Sequence, residues 1–363
     1  MEPEKQKIFS PRVILILILI LLAVAAGVLL YLRKSATPRT TPSDITEDIL
    51  IGFSMSSLQE ERWQTDKKEF LKKAQELGVS VDVQASQNDV EKQISQIRGM
   101  IAEGVNVLVV VPYDAEGLAD VINEAHAAGI KVISYDRLIK NANPDLYLSF
   151  DNEKVGEYQA QYVLQALQSK IDSGKKVRIA YIGGAPTDNN AVLLKAGSFS
   201  LLQPLIDAKK VEIVVDKPTT NWNPDVAYKN LKEYLDRSGG LVDAVIAAND
   251  GTAFGSITAL KEHNLAGVVP VSGQDAELAA IKRLVSGTQT VSVYKPISKL
   301  AARAVELAIE FAKGKTVETT RTVNNGLMEV PSVLLAPIPV TKNNIRETIV
   351  SDGYHRAEDI YNN

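Results

Sequence analysis

Short apolar runs alternate with amphipathic stretches along the chain from Ile49 onward. In the stretch after the first run, Trp63, Phe70 and Leu77 share one helical face. Apolar runs predict strands at Ile49–Ser54, Val79–Val83, Val105–Val111, Ile130–Tyr135, Val177–Ile182, Val211–Val215, Ala244–Ala248, Val268–Ser272 and Thr290–Tyr294, with a long helix at Lys299–Lys313. Repeated strand–helix units of this kind predict doubly wound parallel sheets, and so many strands favour two α/β domains over one.

A different pattern precedes these repeats. Residues 13–32 carry no charge, and as a helix they would span about 30 Å, the thickness of a bilayer core. We expect a transmembrane anchor at 13–32 after a tail at 1–12, followed by a Ser-, Thr- and Pro-rich linker at 33–48. A cleaved signal peptide is the alternative, but its apolar region is usually only about 7–15 residues long. An uncleaved anchor would place the large C-terminal part outside the cell.

Composition narrows the possible functions. The chain has 363 residues, and its 40 basic and 44 acidic side chains leave a net charge of −4, which gives no reason to expect nucleic-acid binding. The absence of cysteine excludes disulfides, thiolate metal sites, a cysteine nucleophile and a lipid-modified cysteine.

Polar side chains cluster where the predicted strands end, which is where open parallel sheets bind ligands. These side chains are Arg62, Trp63, Asp136, Arg137, Asp188, Asn190, Trp222, Asn249, Asp275 and Lys295. Taken singly, Asp188 and Asn249 could be helix N-caps, and Asp136 and Arg137 could form a local ion pair. Together they match a neutral polyhydroxylated ligand, because carboxylates accept from hydroxyls, amides and cations donate, and tryptophan covers apolar ring faces.

Signs of catalysis are weak. The three histidines lie outside the set of strand-end residues, and the chain contains no GxGxxG, GxxxxGK[ST], GxSxG or HExxH motif. We therefore predict a binding protein, not an enzyme, with no cofactor and no metal. Gly183 and Gly184 after a strand are at most a weak fragment of a phosphate-binding loop.

Eleven segments of the chain carry a specific resemblance, namely ERWQTD, VVVPY, SYDRLI, YLSFDNEKVGE, TDNNA, NWNP, ANDGTA, SGQDAELAAIKR, GTQTVSVYKPI, NNGL and VPSVLL. Together they resemble the periplasmic sugar-binding proteins of the ribose/xylose type, with a close match to those that bind D-xylose. The resemblance implies a type I fold of two lobes that close on a monosaccharide. It also implies three crossings between the lobes, near Asp151–Lys154, near Tyr294 and after Lys315. The lobes would then comprise 49–153 with 295–317, and 154–294 with 318–357.

The resemblance also implies that the ten strand-end residues bind the sugar. Arg62, Asp136 and Arg137 would do so from the first lobe. The second lobe would contribute Asp188, Asn190, Asn249 and Asp275. Lys295 would lie beside the hinge, and Trp63 and Trp222 would stack on the ring, although Trp63 could equally serve packing.

The implied partner is either a sensor histidine kinase or an ABC permease, and the anchor modestly favours the kinase. The pattern leaves D-xylose, other pentoses and glucose open as ligands. A sugar-responsive transcription regulator and an α/β enzyme acting on a sugar are the alternative classes. The regulator would need a DNA-binding helix-turn-helix where the apolar run stands.

Overall fold

The computed structural model describes residues 49–319 and 321–362. The predicted tail, anchor and linker at 1–12, 13–32 and 33–48 lie outside the described residues. Across the described ranges, no helix is long and apolar enough to cross a membrane.

Strands and helices alternate through both sheets. The strands are β1 (Leu50–Met55), β2 (Ser80–Ala85), β3 (Val107–Val110), β4 (Lys131–Tyr135), β5 (Leu146–Phe150), β6 (Val177–Ile182), β7 (Val211–Lys217), β8 (Ala244–Ala247), β9 (Ser292–Tyr294), β10 (Arg321–Asn324), β11 (Glu329–Leu335) and β12 (Ile338–Val340). The helices are α1 (Glu61–Leu77), α2 (Val90–Glu103), α3 (Ala119–Ala127), α4 (Asn152–Asp172), α5 (Asn189–Asp207), α6 (Pro224–Ser238), α7 (Asp250–Glu262), α8 (Leu278–Ser286), α9 (Ile297–Ala312) and α10 (Ala357–Tyr361). A 3₁₀ turn at Thr220–Trp222 and a π turn at Arg346–Val350 complete the described elements.

The first lobe is built on a seven-stranded sheet in the order β10-β11-β5-β4-β3-β1-β2. Every pair in it is parallel except β10 with β11. Phe70 of α1 and Leu300 of α9 belong to the apolar cluster on one face. Ile97 of α2 and Val121 of α3 belong to the cluster on the other, so the sheet is covered on both sides.

The second lobe has a parallel sheet in the order β7-β6-β8. One face packs against α4 and α5, through residues such as Val163 and Leu202. Leu231 of α6 and Leu260 of α7 pack on the other face. The predicted strand Val268–Ser272 is reduced to a single bridge from Val271 to β8, and β9 pairs antiparallel with β12.

The chain crosses between lobes three times. It leaves the first sheet after β5 and returns through 295–296, between β9 in the second lobe and α9 on the first sheet. It crosses last at 336–337, between β11 and β12. The prediction that 318–357 belongs to the second lobe is therefore wrong for β10 and β11. Their place in the first sheet, where β11 pairs with β5 and β10 pairs with β11, was not foreseen because no helix separates β4 from β5, or β10 from β11.

Two glycines let α4 and α5 pack closely. A Cβ on Gly197 would lie 1.9 Å from the Glu153 carbonyl oxygen, and one on Gly156 would lie 2.0 Å from the Leu194 carbonyl oxygen. The start of α5 also carries Asp188 and Asn190, so this close packing positions part of the candidate site.

We expect Gly197→Ala to destabilise the protein by about 1–3 kcal/mol, because the new methyl group meets backbone atoms that cannot move aside. Gly99→Ala is the matched control, since a Cβ at this position in α2 meets nothing within 4 Å. Replacing this helical glycine with alanine should stabilise the protein by up to about 1 kcal/mol. Urea unfolding of the two variants measures the difference, and equal stabilities would contradict the packing argument.

Candidate functional site

The candidate site lies between the two lobes, where loops after the strands of both sheets face each other. The side chains of all ten residues predicted from strand ends line one cavity, and each residue is at most 6% exposed. Those residues are Arg62, Trp63, Asp136, Arg137, Asp188, Asn190, Trp222, Asn249, Asp275 and Lys295. Glu60 and Gln274 line the same cavity.

Arg62 is the centre of the charged network. Its guanidinium lies 3.2 Å from Asp66 Oδ2 one helical turn away and 3.0 Å from Asp136 Oδ2 after β4. A third contact of 3.6 Å reaches Asp275 Oδ1 in the second lobe. The Tyr135 hydroxyl donates a hydrogen bond to the Asp66 carboxylate. Arg62 is therefore held by its own lobe while it contacts the other.

Two further contacts join the two sides of the cleft, and a third joins the second crossing to the second lobe. Arg137 Nε lies 2.8 Å from Asp188 Oδ2, and the Asn190 amide donates to Asp136 Oδ1 at 3.2 Å. Lys295, at the second crossing, lies 3.0 Å from Asp275 Oδ1. Each of these polar groups is nearly removed from water, so each depends on a partner inside the cavity.

Some acceptors in the cavity have spare capacity. Asp136 Oδ2 and Asp275 Oδ1 make ion-pair contacts but accept no hydrogen bond of normal geometry from the described residues. Gln274 Oε1 is buried and has no hydrogen-bond partner in the same part of the chain. Hydroxyl groups of a ligand would satisfy such acceptors without adding charge.

Burial and the neighbouring cations shift the pKa values of the carboxyl groups in the cavity in opposite directions. Burial alone would raise the pKa of Asp136, but attraction from Arg62, Lys295 and Arg137 outweighs burial and holds it below the ordinary value. At Asp188 burial outweighs Arg137, so its pKa is raised. Burial, opposed by Arg62, raises the pKa of Asp66 to about 6.

Two of the carboxylates stand on unusual backbone. Asp136 has φ of 59° and Asp275 has φ of 89°, both in the left-handed region that few side chains adopt. Aspartate tolerates this region better than most residues. The turns direct both carboxylates into the cleft at some conformational cost, which is common at ligand sites.

The two tryptophans are held differently. Trp222 donates from Nε1 to Asp188 Oδ2 at 3.2 Å, and its ring lies so close to Gly184 that a Cβ there would come within 2.1 Å. Gly184 thus makes room for the indole, which explains the second glycine after β6. Trp63 has the Arg62 guanidinium 4.1 Å from its ring centroid and also belongs to the core of the first lobe.

Several contributors were not predicted from sequence. Asp66 follows Arg62 by four residues on α1, and this i, i+4 spacing could have identified it. Gln274 follows a strand, like the predicted residues, and Glu60 adjoins Arg62 and accepts from Trp63 Nε1. The sequence carries no signal for Tyr135, because a pattern of burial does not tell which polar atom a buried hydroxyl meets.

The described residues contain no group of three or more His, Cys, Asp or Glu side chains arranged to hold a metal ion. The side chains of the cavity instead pair cations with carboxylates and leave acceptors that suit hydroxyls. Such an arrangement can bind and orient a polar ligand. Its carboxylates are engaged with cations on both sides of the cleft.

The sequence matches a family model described as "Periplasmic binding protein domain" over residues 51–316. It is 46% identical to the D-xylose-binding periplasmic protein of Escherichia coli over 86% of this chain and 93% of that protein. The chain belongs to the periplasmic binding protein family.

Other relatives of this periplasmic binding protein agree in fold. It is 36% identical to the multiple sugar-binding periplasmic receptor ChvE of Rhizobium radiobacter, over 85% of this chain and 92% of the receptor. An ABC transporter solute binding protein from Clostridium phytofermentans, solved with bound β-D-glucose, superposes with a TM-score of 0.79 at 30% identity, covering 86% of this chain and 99% of that one. The predictions of a type I fold and of a binding protein instead of an enzyme are confirmed.

Asp66 should make stability depend on pH. Folded Asp66 keeps its proton up to pH about 6, whereas unfolded aspartate loses it near pH 3.9. The stability from this extra proton is present below pH 4 and is lost as the pH rises through 6. Relative to Asp66→Asn, the wild-type protein should therefore lose about 2 kcal/mol of unfolding free energy between pH 4 and 7.

Urea unfolding of both proteins at each pH measures this difference. Asp120→Asn, which removes one carboxylate from an exposed position on α3, is the control for the loss of charge. A stability difference between wild type and Asp66→Asn that does not change with pH would show that Asp66 titrates normally.

Proposed function

We propose that this periplasmic binding protein binds D-xylose in the cavity between its lobes and closes on it. The observation that carries the proposal is the set of ten nearly buried side chains from both lobes, which offers paired cations, carboxylates, amides and tryptophan faces. They surround a closed space of about 20 Å³, which must widen to admit a sugar ring. The 46% identity to proteins named for D-xylose binding in Escherichia coli and Haemophilus influenzae supports the choice of sugar.

The chemistry of the cavity suits a neutral sugar. Hydroxyls donate to Asp136, Asp275 and Gln274, whose oxygens have unused acceptor capacity. Guanidinium, ammonium and amide groups donate to the hydroxyl and ring oxygens in return. A ligand that lacks one of these hydroxyls leaves a buried polar group unpaired, which costs about 1–3 kcal/mol, so the site discriminates among sugars.

Closure couples binding to a change in shape. The contacts of Arg137 with Asp188 and of Asn190 with Asp136 join opposite lobes, so they exist only when the cleft is closed. The three crossings allow a hinge motion about the segments near 151, 295 and 336. The sugar shifts the open–closed balance by the contacts that it makes with both lobes at once.

Asp275→Asn tests the proposed site. This carboxylate meets Lys295 and Arg62, so the variant removes a buried charge from the centre of the sugar contacts. We expect the affinity for D-xylose to fall by more than about a hundredfold. Isothermal titration calorimetry measures it, with Asp120→Asn at an exposed position as the matched control. Unchanged affinity in Asp275→Asn would contradict the assignment.

The proposed output is sensing through a membrane histidine kinase. The support is the uncharged run 13–32, which is long enough for a fixed transmembrane helix and is followed by Arg33 and Lys34. A fixed helix suits a receptor that stays beside one membrane partner and would export the sugar-binding domain. Delivery to an ABC permease is the second candidate, which is favoured by the transporter origin of the solved relatives.

Deletion of the gene in its host distinguishes the two outputs. If the protein senses, uptake of labelled xylose by cells that already express a xylose permease should persist, while xylose-induced transcription is lost. Restoring the chain with residues 1–48 replaced by a lipoprotein anchor should then fail to restore induction. Loss of uptake with normal induction would instead identify the protein as a transport component.

A further inference from the structure

A second cavity lies directly outside the candidate sugar site. It has a volume of about 640 Å³, within the range of about 300–1,000 Å³ that is typical of small-molecule sites. Both lobes contribute to this outer chamber, including Gln59, Gln87 and Asn88 from the first and Asn223, Phe254 and Arg283 from the second. Glu60, Trp222 and Asn249 line the outer chamber and the sugar site alike, so the two cavities adjoin.

The walls of the outer chamber are ordered by their own contacts. The Asn88 amide donates to Gln59 Oε1 at 3.3 Å, and Tyr113 donates across the cleft to Asn221 Oδ1 at 3.0 Å. Asn223 and Asn249 cap α6 and α7 through their side-chain oxygens. The amide nitrogens of these two caps donate no hydrogen bond within the described part of the chain, so they are available to a ligand.

Phe254 gives the outer chamber an apolar surface. Its side chain lies on α7 and is 53% exposed, which is unusual for phenylalanine, with the Arg283 guanidinium 5.7 Å from the ring centroid. An exposed aromatic ring among amides is the combination that binds the C–H face of a sugar ring while the hydroxyls find polar partners.

The electrostatics of the outer chamber favour an uncharged ligand. Arg283 is the positive side chain in its lining, and Glu60 and Glu61 lie in the opposite wall. Burial and the neighbouring Asp250 raise the pKa of Glu277, which weakens the negative charge that this carboxyl brings to the chamber. No excess of positive charge is present to attract phosphate or a uronic acid.

We propose that the outer chamber binds the second residue of a neutral xylose disaccharide whose first residue occupies the inner site. The proposal rests on the proposed xylose site. A β-1,4 linkage keeps the two rings extended, so the second ring continues from the inner site past Trp222 and Asn249 toward Phe254. The protein would then respond to short fragments of a xylose polymer as well as to the free sugar.

Calorimetry of the full-length chain with D-xylose and with β-1,4-xylobiose tests this proposal. We expect both sugars to bind the wild-type chain. Phe254→Ala should weaken the affinity for xylobiose about two- to tenfold and leave the affinity for D-xylose within about twofold of the wild-type value. Leu241→Ala is the matched control, because Leu241 is 54% exposed on the same lobe but does not line the outer chamber. It should change neither affinity.

The outcomes separate this proposal from the proposed function. If D-xylose binds and xylobiose does not, the outer chamber is only an entrance, and the monosaccharide site stands. If Phe254→Ala weakens the binding of both sugars equally, or the binding of neither, there is no separate subsite at Phe254 and the proposal is overturned. If neither sugar binds the wild-type chain, both proposals fail.

Discussion

The closed cleft depends on charge compensation among seven buried side chains. Three cations and four carboxylates are brought together where little water remains, namely Arg62, Arg137 and Lys295 with Asp66, Asp136, Asp188 and Asp275. Removing such charges from water costs several kcal/mol for each ion, and mutual attraction offsets this only when the geometry is good. Neither lobe contains all the partners, so the arrangement is complete only when the lobes meet.

This requirement explains why the site is surrounded by rigid elements. Arg62 lies in the first turn of α1, Asn190 in the first turn of α5, and Asn249 caps α7. The helices are held by sheets that are covered on both faces, so the polar groups at their ends have little freedom. Where a helix cannot supply the direction, left-handed turns at Asp136 and Asp275 do so.

A network that is nearly satisfied without ligand also bears on specificity. Contacts within one lobe, such as those of Arg62 with Asp66 and Asp136, hold side chains in place before the cleft closes, so less conformational entropy is lost when a sugar binds. The remaining acceptor capacity on Asp136, Asp275 and Gln274 marks where hydroxyls gain most. Binding and closure are therefore one process, in which hydroxyls complete contacts that the lobes leave unfinished.

Local pattern determined much of this fold. Runs such as Val107–Val110 are apolar for the length of a buried strand, and α1 and α2 end at Gly78 and Gly104, so strand–helix alternation could be predicted. It could not predict β5, β10 and β11, because no helix separates β5 from β4 or β11 from β10. Their place is decided by pairing with a distant edge.

The candidate site divides in the same way. Its ten residues could be predicted because parallel strands present their carboxyl ends at one edge, and the chain places polar residues there. Which carboxylate meets which cation was decided only by the tertiary structure, since Arg137 and Asp188 are far apart in sequence and come from different lobes. The same holds for Gly184, whose missing side chain makes room for Trp222. Sequence period determines which face of an element is buried, whereas partners across a cleft depend on how two separately folded lobes pack together.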